Sequence, residues 1–94
     1  MSRSVDERAS AAPQVLCRDL GDEAVLLDLA TETYFGLNAT GTRLWRLLTG
    51  GATIRDALAT LASEFDVDTE TVDRDMTELL DELVERGLLR IGNA

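Results

Sequence analysis

Apolar positions along the chain change their period once, near residue 38. From residue 14 to 37 they alternate with polar ones and are rich in β-branched and aromatic types. The alternation breaks at Leu20-Gly21-Asp22 and again at Ala30-Thr31-Glu32-Thr33. Alternation with turn residues between the runs predicts three short antiparallel strands. A three-residue loop in the second hairpin pairs Ala30 with Tyr34 and sets Leu29 opposite Phe35 and Leu27 opposite Leu37, which makes one apolar face. A two-residue loop places Asp28 opposite Phe35 and Leu27 opposite Gly36, so the longer loop is the expected one. Cys17 shares a face with Val15 in the first strand and reads as a core residue.

After Leu37 the spacing becomes helical. Asn38 suits an N-cap, Leu44, Trp45, Leu47 and Leu48 form an apolar side, and Gly50-Gly51 supply a stop. A second helix follows from Thr53 with Asp56, close to a capping box, and from Ile54, Leu58, Leu61, Ala62 and Phe65 at helical spacing. Asp68 opens a third, in which Val72, Met76, Leu79, Leu80, Leu83 and Val84 make a core-facing stripe. Gly87 ends it, and Leu88 stands where a Schellman motif tucks an apolar residue back onto the last turn. Three strands followed by three helices predict an α+β, winged-helix-turn-helix-like domain over residues 13–92. Residues 1–12 are small, polar and charged without periodicity and read as a flexible tail, and Asn93-Ala94 is expected to fray.

Ninety-four residues suffice for one compact core and not for two. With 45% hydrophobic and 29% charged residues, the composition is that of a folded domain. Eighteen acids against 9 bases, all of them arginine, leave a net charge of −9. Such a surface repels phosphate backbones and anionic membranes, so neither nucleic acid nor membrane is an expected partner. The third helix of a winged-helix fold often reads DNA, yet between Glu64 and Glu85 stand ten acids and only Arg74 as a base. One cysteine excludes an internal disulfide and fits a reducing cytoplasm, and no apolar run has the length of a signal peptide or a membrane span.

The chain has no histidine, and Ser63 is the only serine in the part expected to fold, so the usual nucleophile–base pairs are missing. Carboxylates on helix faces read as solvated charge. Asp66, Asp68 and Glu70 alternate as in a calcium loop but lack the glycine and the closing glutamate, and Gly50-Gly51 lies between helices rather than in a phosphate cradle. Neither a catalytic role, nor a metal, nor a cofactor is therefore expected.

Leu37-Asn38-Ala39-Thr40-Gly41 followed by Leu44-Trp45, Leu47-Leu48 and Gly50-Gly51 resembles the PqqD-like family, the RiPP recognition elements. Thr53-Ile54, the helix to Phe65, Asp66-Val67-Asp68, Asp75-Met76, Leu79-Leu80, Leu83 and Gly87-Leu88-Leu89 follow the remaining landmarks in order, so that the resemblance spans about residues 15–91. It implies a non-catalytic adaptor that binds the leader segment of a ribosomally made precursor peptide and presents it to a leader peptidase, macrocyclase or other modifying enzyme. Asp28-Leu29 and Tyr34-Phe35-Gly36-Leu37 are similar to the discrete leader-binding proteins of lasso-peptide pathways. PqqD proper, a peptide chaperone for a radical-SAM enzyme, usually carries a Pro-Glu pair in the hairpin and Cys-Asp-Gly after the first helix, and this chain has neither. A winged-helix transcription regulator and a small structural subunit are the readings from other classes.

In the family the leader adds as a strand beside the third strand and packs against the third helix, which is β-augmentation. The peptide-binding residues this implies are Thr33, Tyr34, Phe35 and Gly36 on the strand and Asp73, Asp75, Met76, Leu79, Leu80 and Leu83 on the helix. Asp73 and Asp75 would favour a basic leader residue. Tyr34 points away from the core and serves as a peptide contact or as plain surface. Leu80 and Val84 mark one flank of the helix, and a helical wheel does not say which flank faces the third strand.

Overall fold

The computed structural model describes residues 7–65 and 68–92. The chain runs β1 (Ala9–Ala11), β2 (Val15–Leu20), β3 (Glu23–Asp28), β4 (Thr33–Leu37), α1 (Ala39–Thr49), α2 (Ile54–Phe65), α3 (Thr69–Glu85) and β5 (Leu89–Ile91). Strands β2, β3 and β4 form one antiparallel sheet in that order, which leaves β4 at an edge, and β1 pairs with β5 in a second, two-stranded sheet. The α+β fold expected from the sequence, a three-stranded sheet followed by three helices, is the fold observed.

The second hairpin departs from the expected register. Asp28 pairs with Thr33, Leu27 with Tyr34 and Leu26 with Phe35, around a four-residue loop. The cause is local: Asp28 Oδ1 accepts from the backbone N–H of Ala30 (3.0 Å) and Thr31 (3.3 Å), and its carbonyl accepts from Glu32 (2.8 Å). Glu32 takes φ of 59°, a left-handed residue that closes the loop. The offset from the expected pairing is odd, so the strand turns over. Ala24 and Leu26 enter the core, while Leu27 lies on the opposite face and Leu29 is exposed.

Cys17 also departs. It pairs with Leu26 on the inner face, yet β2 is the outermost strand on its side and its thiol is exposed. It is not a core residue.

The helices form as their signals predict. Asn38 caps α1, its Oδ1 accepting from Gly41 N–H at 2.9 Å, and Leu44, Trp45 and Leu48 are buried. Thr53 Oγ1 accepts from Asp56 N–H at 3.1 Å, the forward half of a capping box on α2. Ile54, Leu58 and Leu61 are buried, but Phe65 at the end of α2 is 40% exposed. Asp68 precedes α3 without a side-chain cap bond. At the far end Gly87, φ 76°, completes a Schellman turn: Leu88 N–H reaches Leu83 O at 2.9 Å and Gly87 N–H reaches Val84 O at 3.0 Å.

Residues 7–12 are not a tail. β1 pairs Ala9 with Ile91 and Ala11 with Leu89, and Ala9 and Ala12 are buried. Around it, Ile54 N–H donates to Glu7 O, Gly92 N–H to Arg8 O, Ala12 N–H to Leu88 O and Arg8 Nε to Gly51 O. The segment thus ties the start of α2 to the chain after α3. Its residues are small because alanine fits where a strand lies close on helices, and small residues give no periodicity to read. The expected fraying of Asn93-Ala94 lies outside the described residues.

Candidate functional site

β4 runs along the open edge of the sheet with its backbone groups unpaired on one side among the described residues. Beside that edge lies a groove of about 380 Å³ whose walls are Phe35, Gly36 and Leu37 of β4, Asn38, Thr40 and Gly41 at the start of α1, and Asp75, Met76 and Leu79 of α3. Three elements build it, and each is held by an identifiable contact. Thr42, fully buried, donates from Oγ1 to Leu37 O at 3.3 Å and joins β4 to α1. Gly41 lets α3 approach α1: a Cβ there would stand 3.1 Å from Leu79 Cδ2 and 3.3 Å from Asn38 Oδ1. Phe35 is half-buried, and the Arg86 guanidinium lies 5.2 Å from its ring centroid, a cation–π contact at the other end of α3.

Of the residues named from the sequence, Phe35, Gly36, Asp75, Met76 and Leu79 come together in this groove. Thr33 lies on the same edge strand and is exposed. Tyr34, 77% exposed, is on the opposite face of the sheet from Phe35, because neighbours in a strand point to opposite sides. Leu80 and Leu83 are sealed in the core and present no surface to a ligand. Asp73 faces a different depression, with Arg55, Leu58, Ala59 and Thr69. The flank of α3 turned to the groove is therefore that of Asp75, Met76 and Leu79, the one a helical wheel left open. Sequence reasoning missed Leu37, Asn38, Thr40 and Gly41, which it read only as cap and helix start. The signal that Asn38 begins α1 directly after the edge strand was available.

The site is electrostatically mild. Asp75 Oδ1 stands 3.4 Å from its neighbour Arg74, and Arg86 pairs with Glu82 at 3.0 Å, both in solvent. A second depression, of about 230 Å³, shares Thr40, Asp75 and Met76 with the first and extends it to Phe65. Away from the groove, Arg43 holds Glu64 in a two-point pair at 2.8 and 2.7 Å, which lowers the Glu64 carboxyl and raises Arg43 through that hydrogen bond first. Cys17 is pushed up, mainly by loss of solvent and then by the Asp19 carboxylate, against a smaller opposing effect of Arg46. A thiol held protonated is a poor nucleophile. Among the described residues no three His, Cys, Asp or Glu side chains gather as a metal site requires, and Asp66 of the calcium-like run lies outside them.

An edge strand flanked by a groove with both apolar and polar walls is what strand-addition binding of a peptide needs: backbone groups to pair and a wall for alternate side chains. The family model for coenzyme PQQ synthesis protein D (PqqD) matches residues 23–89, and the chain belongs to the PqqD family. It is a PqqD-like member of the RiPP recognition elements. Among solved structures it is similar to TbiB1 in complex with the TbiA(β) leader peptide, at 39% identity and a TM-score of 0.82, covering 90% of this chain and 98% of that one. It is also similar to a lasso peptide synthetase B1 complexed with the leader peptide, at 27% identity and a TM-score of 0.77, with the same coverage of each chain. No curated protein matches the chain. No helix among the described residues is long and apolar enough to cross a membrane.

Proposed function

We propose that this protein is a non-catalytic adaptor that binds the leader segment of a ribosomally synthesised precursor peptide and presents it to a leader peptidase or macrocyclase in lasso-peptide biosynthesis. The observation that carries this reading is the open β4 edge beside a groove, in a fold shared over nine-tenths of the chain with two proteins whose structures are solved in complex with leader peptides. The leader pairs antiparallel with Thr33–Leu37, and alternate side chains enter the groove against Phe35, Met76 and Leu79. Asp75 at the groove favours a basic leader residue, whereas Asp73 faces the other depression and takes no part. The adaptor works in the cytoplasm, where its precursor is made.

The acidic face of α3 argues against the transcription-regulator reading. Seven acids and one arginine occupy Thr69–Glu85, a distribution that repels phosphates along the whole helix.

The test is binding of fluorescently labelled TbiA(β) leader peptide. Leu79→Glu puts a charge into the groove from a half-buried position and should weaken binding at least tenfold, about 1.4 kcal/mol, with the circular dichroism spectrum retained. Normal affinity in that variant, or no binding of any leader by the parent chain, would contradict the reading.

A further inference from the structure

The groove carries opposite charges at its two ends. Asp75 stands where β4 passes into α1, among Asn38, Thr40 and Gly41. At the other end Arg86, the residue that closes α3, lays its guanidinium over Phe35. The helix between Asp75 and Arg86 rises about 16 Å, which matches about five residues of extended chain, the length of β4. A leader antiparallel to β4 therefore enters beside Asp75 and leaves beside Arg86. Beyond Arg86 the chain turns at Gly87 into β5, where Arg90 lies opposite Ser10 on the solvent side. The Arg90 guanidinium pairs with no carboxylate among the described residues.

We propose that Arg86 and Arg90 form an exit track that binds acidic residues of the leader downstream of the stretch paired with β4. The inference rests on the adaptor reading and adds a charge pattern to it. Two observations select this occupant. First, the track continues the proposed peptide site, because the strand direction delivers the next leader residues to Arg86 and then to the chain after Gly87. Second, the charge is complementary: α3 carries seven acids and one arginine, and the two cations stand just where that acidic helix ends. A cation suits a helix C-terminus in any fold, but that role asks nothing of Arg90. Arg86 gives Nε and Nη2 to one oxygen of Glu82, at 3.1 and 3.0 Å, with both side chains about half in solvent. Such an exposed pair is held weakly, and the remaining guanidinium donors can take a second carboxylate. The step from Arg86 to Arg90 covers at most about 14 Å of chain. The two leader carboxylates thus lie within about four residues of each other, the first at or just after the residue facing Thr33.

The probes are fluorescently labelled TbiA(β) leader peptides in which each position downstream of the paired stretch is made Glu or Lys in turn, with affinity read by fluorescence anisotropy. With the parent chain, Glu should bind at least about fivefold more tightly than Lys at one position, and again at a second within about four residues. Arg86→Glu should reverse the preference at the first position and keep it at the second, and Arg90→Glu should do the converse. Reversal separates recognition from support, since a residue that only steadies Phe35 affects every peptide alike. Arg86→Glu that weakens Glu and Lys peptides equally therefore overturns the place of Arg86 in the track. Equal affinity for Glu and Lys peptides at every position, or a preference that persists in both variants, overturns the proposal as a whole. A parent that binds none of the peptides strikes the adaptor reading and the track together, whereas one that binds them all alike strikes the track alone.

Discussion

Trp45 shows how a single residue divides stability from recognition. It lies on the buried side of α1, 4% exposed, and its neighbours Leu44 and Leu48 are fully buried. Trp45→Ala should cost about 3–5 kcal/mol by removing a large core side chain, read as a fall in the urea midpoint. Lost leader binding with an unchanged midpoint would instead make it a contact residue. Cys17 carries a second prediction. Its pKa is raised in the fold, so less thiolate is present at any given pH than in the unfolded chain. Iodoacetamide at pH 8 should label the folded protein more slowly than the urea-unfolded chain, exposed though the side chain is. The sign for stability follows: a raised thiol pKa contributes stability below the unfolded value, and that contribution fades as pH rises through the folded one. At this scale the sequence was only partly readable. Trp45 announced its burial through helical spacing, whereas Cys17 shared the inner face with core residues and gave no sign that its strand lay outermost.

The helices were legible as elements because each carries its own start and stop: Asn38 and Gly50 for α1, Thr53 for α2, Gly87 for the end of α3. The hairpin register was not, since it hangs on Asp28 binding its own loop, and a side chain that caps locally looks in a sequence like any strand-end acid. β1 and β5 escaped for a different reason. Three residues each and mostly small or half-buried, they exist only through pairing across nearly the whole chain. The consequence is measurable. A flexible tail can be removed freely, but deleting residues 1–12 here removes β1, its ladder and the bonds to Gly51, Ile54, Leu88 and Gly92. At about 0.5–1.5 kcal/mol for each net hydrogen bond, the truncated protein should lose at least about 2 kcal/mol in urea unfolding. An unchanged midpoint would return the segment to the status of a tail.

For the molecule as a whole, the division of labour is between the two faces and the one open edge of a small sheet: an inner face that buries Ala24, Leu26 and Leu37 against helices, an outer face left apolar, and β4 with its groove between them. Which strand lay at the edge followed from the sequence, because β4 leads straight into α1. Which flank of α3 lined the groove did not, because Leu79 and Leu80 are equally apolar neighbours and only packing against Gly41 separates them. The central claim is that the leader pairs with β4. Amide hydrogen exchange with and without saturating TbiA(β) leader tests it most directly, since new backbone bonds protect the strand they form on without any mutation. The account predicts slowed exchange within Thr33–Leu37, with β2 unchanged. Protection of Val15–Leu20 instead, with β4 exchanging as in the free protein, would contradict it.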